Sequence, residues 1–449
     1  MNSIAKRGVD RGAGSRSAPR LVLLLLFALP WAPGARAQAD VEAFDGSFRL
    51  STGEVVTGGY FVEGGQGRYL YLDTQGLARG GLFERMSDRV LRSVVPPDEV
   101  EIEFLGDEEL NAIVWKERGQ EPLHGQRVHP HESRVVRFAS GDGTKIVGRL
   151  LLPACPGPHP LVISVHGSGP VDRHGGPFHT FFLQHGVAVL AYDKRGYTSD
   201  AEAWREPDLA TLSADAAAAL RFASSLPEID PDRAGFFGSS QGGWVVPRAA
   251  VEAPETDFLV LRAGAALSEL ETHLHEVRQE LRADGLAGLD LDHAMALRRE
   301  IYETAMAGDP ISETDALVAP YLVEPWYRSA FGEDPVSRLW SPRWWGWAQR
   351  NFAVAATPWL ERLDAPVLWF LAERDENVPL VSTRAALEEA FAASPGEDHE
   401  IVVLKGALHS FLIPSPEGPP RFSPGFFDRM GAWLDERGLS NPGCGERVP

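Results

Sequence analysis

The stretch Arg233-Ala-Gly-Phe-Phe-Gly-Ser-Ser-Gln-Gly-Gly-Trp244 constrains this chain more than any other. It reads as a short apolar strand running straight into a helix, with Gly238, Ser240 and Gly242 at the turn, the spacing of a Gly-x-Ser-x-Gly nucleophile elbow. A serine hydroxyl at the tip of such a turn stands clear of the sheet, where a base can reach it from one side and a carbonyl carbon from the other. Glycines two residues before and two after leave room for the crowded backbone. The amide of Gln241, at the start of the helix, is aimed where an oxyanion would form. Three fixed positions recur by chance in long chains, so the weight falls on what surrounds them.

The chain opens with a basic region holding Lys6, Arg7, Arg11, Arg16 and Arg20, then an apolar run from Leu21 to Ala32, then Ala35-Arg36-Ala37. This pattern predicts a signal peptide over residues 1–37, cleaved before Gln38, and a periplasmic or secreted location. A membrane anchor is disfavoured, because Pro30 and Pro33 interrupt a run already short of the roughly 20 apolar residues a span needs. The formal charge is −20, and removing residues 1–37 takes away six basic residues and one acidic one, leaving −25. An acidic surface of that size argues against nucleic acid or anionic membrane as a partner. Cys155 and Cys444 are the only cysteines, and in an exported chain a bridge between them can persist; a bridge and two unpaired thiols both stay open.

From residue 38 to 127 short segments such as Arg68–Leu72, Arg89–Val95 and Glu99–Phe104 alternate with glycine turns, which predicts a small antiparallel β domain. Residues 128–132 read as a linker. His124, His129 and His131 around it are taken as exposed connector residues and not as metal ligands, since no acidic or cysteine ligand set accompanies them. Apolar strands then alternate with helical stretches over residues 133–268, the pattern of a mostly parallel sheet covered on both faces. Residues 269–363 are helical in pattern, with Leu270, Leu274, Val277 and Leu281 at heptad-like spacing, and read as an inserted cap. Its Trp326, Trp340, Trp344, Trp345 and Trp347 fit cap core better than substrate wall. The sheet resumes over 364–438, ahead of a tail at 439–449.

A serine nucleophile needs a base and a group that orients the base. Asp375 follows the predicted strand 367–371, and His409 follows the strand 401–404. Both therefore stand at carboxyl ends of parallel strands, the edge at which open α/β sheets build their sites. Asp364 and Glu373 are the competing acids and His399 the competing base. A second oxyanion donor is expected from His166-Gly-Ser-Gly-Pro170, from the amide of Ser168 or alternatively Gly167. Asp193 and Arg195 read as structural pairing near the site; Asp172, Arg173 and His174 follow the oxyanion loop, with substrate contact there the less favoured of two open readings.

The His-Gly-Ser-Gly-Pro loop, Tyr192-Asp-Lys-Arg-Gly196 and Gly238-Ser-Ser-Gln-Gly242, in this order, make residues 133–437 resemble the α/β-hydrolase superfamily, in its esterase and prolyl-oligopeptidase-related branch with dienelactone hydrolase and thioester hydrolase relatives. The resemblance implies acyl transfer to water through a serine ester on Ser240, without metal or organic cofactor. The expected substrate is a small ester. A peptidase, and a non-catalytic binding protein on the same fold, are the alternative readings.

Overall fold

The computed structural model describes residues 41–63, 66–73, 78–94, 100–107, 110–197, 200, 202–414, 421–441 and 444; the signal-peptide reading lies outside them. Among the described residues no helix is long and apolar enough to cross a membrane.

The first eight strands are β1 (Gly46–Leu50), β2 (Val55–Glu63), β3 (Gln66–Leu72), β4 (Ala78–Arg85), β5 (Val90–Ser93), β6 (Val100–Leu105), β7 (Ala112–Glu117) and β8 (Leu123–Val128). Each pairs antiparallel with the next, and β8 returns to β1, so the β domain is a closed barrel without an open edge. The alternation is plain in β6. Val100, Ile102 and Phe104 point into a buried aromatic-rich interior, whereas Glu101 and Glu103 face out and pair with Lys116 on β7. The linker expected at 128–132 is shorter than predicted. His124 lies within β8, His131 opens the next strand, and only His129 and Pro130 lie between. The histidines misled because their Pro-containing run looks like a connector, while main-chain pairing from Pro153↔His131 onward carries the strand through it.

The second sheet contains β9 (His131–Ala139), β10 (Lys145–Pro153), β11 (His159–Val165), β12 (Ala188–Tyr192), β13 (Ile229–Ser239), β14 (Phe258–Arg262), β15 (Val367–Ala372) and β16 (His399–Leu404). Their order is β16-β15-β14-β13-β11-β12-β10-β9. The six strands from β16 to β12 are parallel, and β10 and β9 are antiparallel. Helices cover both faces, which is why β15 is apolar and buried at every position. In β15, Val367, Trp369 and Leu371 face a core built with α2 (Leu209–Ser224), α3 (Gly242–Glu252) and α11 (Leu380–Ala393). Leu368, Phe370 and Ala372 face the opposite core, built with α1 (Pro177–Gln184) and α12 (Phe426–Glu436).

That second core also receives Leu70 and Leu72 of the barrel, so barrel and sheet share apolar packing. A buried ionic joint reinforces the seam: Arg149 of β10 lies 2.9 Å from Asp45 and 2.9 Å from Glu42. Between β14 and β15 run the helices of the cap, α4 (Glu269–Ala283), α5 (Gly288–Met306), α6 (Glu313–Val318), α7 (Pro325–Phe331), α8 (Val336–Leu339), α9 (Pro342–Asn351) and α10 (Thr357–Leu360). Trp326 and Trp345 belong to the cap's own core, with Trp340 and Trp344 stacked at 4.4 Å and packed against it. Trp347 is buried instead among the core residues of the sheet. Cys155 and Cys444 are disulfide-bonded, with Cα atoms 5.3 Å apart, which ties the tail to the segment after β10.

Candidate functional site

β13 delivers the chain into α3 through Ser240, which adopts φ +52°. A non-glycine residue in this left-handed region is strained, and such strain gathers at functional turns. Ala263 at φ +47° and Phe411 at φ +64° stand close by, at the ends of β14 and of the loop after β16. The glycines of the elbow do not share its steric load as expected. A Cβ on Gly238 would lie 2.7 Å from Val246, but one on Gly242 would meet nothing nearer than 3.6 Å. The closest approach is at Gly243, where a Cβ would fall 2.4 Å from both the backbone nitrogen and oxygen of Ala265. Hence Gly243→Ala is expected to lower unfolding free energy by about 2–3 kcal/mol and Gly242→Ala by less than about 1 kcal/mol in urea titrations.

Ser240, His409 and Asp375, 34 to 169 residues apart in the chain, meet at the carboxyl edge of the sheet. His409 Nε2 is 3.0 Å from Ser240 Oγ, and His409 Nδ1 is 2.9 and 3.0 Å from the two carboxylate oxygens of Asp375. The Asp375 side chain is 2 % exposed, and its Oδ1 accepts from the amides of Asn377 (2.9 Å) and Val378 (2.8 Å). These two donors fix the carboxylate from behind. The amide of His409 donates to Glu376. Burial disfavours an imidazolium at His409, but the charge and hydrogen bond of Asp375 outweigh it, so its pKa stands above the ordinary 6.5. Such a set can take a proton from a hydroxyl and hold the resulting cation.

The competing residues lie elsewhere. Asp364 precedes β15 and His399 opens β16, so both belong to the amino-terminal edge, and the His399 ring stacks on Phe391 at 4.4 Å. Glu373 accepts from the amide of Gly406 at 2.7 Å.

Gln241 is the N-cap of α3, and among the described residues its amide takes no backbone acceptor, as expected at a helix start. Gly167 rests against the elbow: a Cβ there would be 3.6 Å from that of Ser240. His166 is half-buried, its Nε2 bonded to the carbonyl of Tyr192, and desolvation with the nearby Lys194 charge pulls its pKa down to about 4, so it is neutral. Asp172 and His174 are engaged in structural contacts. They are buried, 3.0 Å apart, and His174 also reaches Glu42 of the barrel segment at 3.2 Å. Arg173 pairs with Asp193, and Arg195 with Asp215 and Asp142, which is the structural role expected of Asp193 and Arg195. The cap is pinned to the same edge, where Asn377 donates to Glu276 at 2.9 Å and His275 Nε2 lies 3.3 Å from the carbonyl of Asp375.

One residue at the site escaped the sequence reading. Lys194 lies between two residues assigned to structure, yet its ammonium donates to the Gly167 carbonyl at 2.8 Å and to Gln241 Oε1 at 2.7 Å. Its position just beyond the end of β12 was the available signal.

The chain is 35 % identical over 81 residues to the polyketide transferase claH of Penicillium crustosum, a match covering 18 % of this chain and only 26 % of that protein. Among solved structures, an esterase of Pyrococcus furiosus aligns at 18 % identity and TM-score 0.42 over 68 % of this chain and 91 % of that one. An acylaminoacyl peptidase of Pyrococcus horikoshii aligns at 14 % identity and TM-score 0.44, covering 87 % of this chain and 56 % of that one. Residues 156–415, more than half of the 449, match the family described as serine aminopeptidase, S33. The chain thus belongs to that Hydrolase_4 family and is an α/β hydrolase.

Proposed function

We propose that the protein is an exported serine carboxylesterase that cleaves small carboxylic esters or thioesters through an acyl-enzyme. The observation that carries this reading is the unbroken hydrogen-bonded chain from Ser240 through His409 to Asp375 at the sheet edge. Ser240 attacks the carbonyl carbon while His409 Nε2 takes its proton, and the amides of Gln241 and Ser168 receive the oxyanion. Collapse of the tetrahedral species returns the proton to the leaving alcohol, and His409 then activates water to release the acid. Export is supported by the pattern of residues 1–37 and by the Cys155–Cys444 bridge, since disulfides persist in oxidising compartments.

A second reading, a serine peptidase, is favoured by the aminopeptidase description of the family. Against it, the amino-terminal unit is one closed eight-stranded barrel and not a long repeat array of the kind that screens peptides. Assay of p-nitrophenyl acetate, butyrate and octanoate beside aminoacyl p-nitroanilides separates the two. The ester reading expects the highest kcat/KM on an ester by at least tenfold. A higher value on an anilide would contradict it and leave the serine mechanism standing.

A further inference from the structure

We propose that Lys194 is a positioning residue for the oxyanion site, one ammonium bonded to both the Gly167 carbonyl and the Gln241 side chain and so locking the 167–168 peptide against the start of α3. The proposal rests on the acyl-transfer reading above. Lys194 is 3 % exposed, and its backbone is held on both sides: its amide donates to Val171 at 3.0 Å, and its carbonyl accepts from Tyr197 at 2.8 Å. The face of Trp204 lies 4.9 Å from Nζ.

The consequence follows from peptide planarity. The Gly167 carbonyl and the Ser168 amide belong to one trans peptide unit and point in opposite directions, so a bond that fixes the carbonyl fixes the direction of the Ser168 N–H. A carbonyl that accepts a charge-assisted hydrogen bond also polarises its own peptide, which makes that N–H a stronger donor. This selects Ser168 over Gly167 as the donor from the loop. The other bond holds Gln241, 2 % exposed, whose backbone N–H is the second donor. Lys194 therefore sets the spacing between the two amides without touching substrate.

A structural lysine on the surface would bring no pH signature, but this one does. Burial, with Arg205 nearby, pulls its pKa down to about 7, opposed by Glu269. The groups facing it are Arg205, Glu269, which burial pushes up to about 7, and neutral His166. As pH rises through this range Lys194 keeps N–H donors but loses the charge that strengthens them, so kcat declines on the alkaline side.

The test compares wild type, Lys194→Met and Gln241→Leu on p-nitrophenyl butyrate. Losing an oxyanion donor outright costs about 10²–10³ in kcat, and misaligning one should cost less. Lys194→Met is expected to lower kcat by about 10–100-fold with KM within twofold and to lack the alkaline limb of kcat. Gln241→Leu should lower kcat by a few-fold, and its effect should not add to that of Lys194→Met. An unchanged kcat in folded Lys194→Met, an effect confined to KM, or an alkaline limb that survives would overturn the proposal. If Lys194→Met does not fold, an unchanged kcat in Gln241→Leu overturns it. Ser240→Ala run in parallel separates the two levels, because full activity there sinks the acyl-enzyme reading itself.

Discussion

Ser240→Ala is expected to lower kcat for p-nitrophenyl butyrate on the order of 10⁶-fold, with KM little changed. The magnitude follows from what the substitution leaves behind. Alanine keeps a Cβ and the left-handed backbone at φ +52°, so the elbow and both amides stay in place, but the nucleophile 3.0 Å from His409 is gone. Binding contacts and oxyanion donors survive, which leaves a residual rate above that of water. The fold should survive too, because no other described side chain uses Ser240 Oγ apart from His409. Loss of turnover with an unaltered melting curve is the expected pair of results. Turnover within tenfold of wild type would show that chemistry occurs elsewhere.

Asp375→Asn is expected to lower kcat by about 10⁴-fold while leaving the fold intact. Oδ1 of Asp375 accepts from the amides of Asn377 and Val378, so the carbonyl oxygen of an asparagine must occupy that position. Its NH₂ group then takes the place of Oδ2, 3.0 Å from His409 Nδ1. At that contact the NH₂ opposes an Nδ1–H donor, only the neutral acceptor at Oδ1, 2.9 Å away and already shared with two amides, remains for it, and the ring is shifted toward the tautomer with its proton on Nε2, which cannot accept from Ser240. The pH profile gives an independent readout. The base works only when neutral, so kcat/KM of the wild type should rise with pH about a midpoint above 6.5, since Asp375 raises the pKa of His409. Without that charge burial prevails, and the residual activity of Asp375→Asn should show its acid limb at lower pH. A variant with the wild-type limb and near-wild-type kcat would remove Asp375 from the mechanism.

What could be read in advance was what depends on local pattern. The apolar strands, the turn at Ser240 and the strand-end positions of Asp375 and His409 follow from period and punctuation, and β15 and β16 lie where their sequences place them. Closure of the barrel was not legible, because it depends on β1 meeting β8 about 80 residues later, and both strands look like ordinary short segments. The Arg149–Asp45 ion pair spans 104 positions and is invisible for the same reason. Gly243 shows the limit of motif reading. The motif names Gly238 and Gly242, but the position that cannot carry a side chain at the helix start is fixed by the backbone at Ala265, from a different strand end. Lys194 is not legible in the sequence because charged residues flank it, and only its burial in the fold sets it apart from them.

The most direct measurement is the intact mass and peptide map of the protein after treatment with a fluorophosphonate, which phosphonylates a serine only when a base activates it and donors hold the developing oxyanion. One adduct per chain is expected, on the peptide containing Ser240, with loss of esterase activity in proportion to labelling, and none in Ser240→Ala. Stoichiometric labelling at another residue, or an active protein that the probe leaves unmodified, would contradict it.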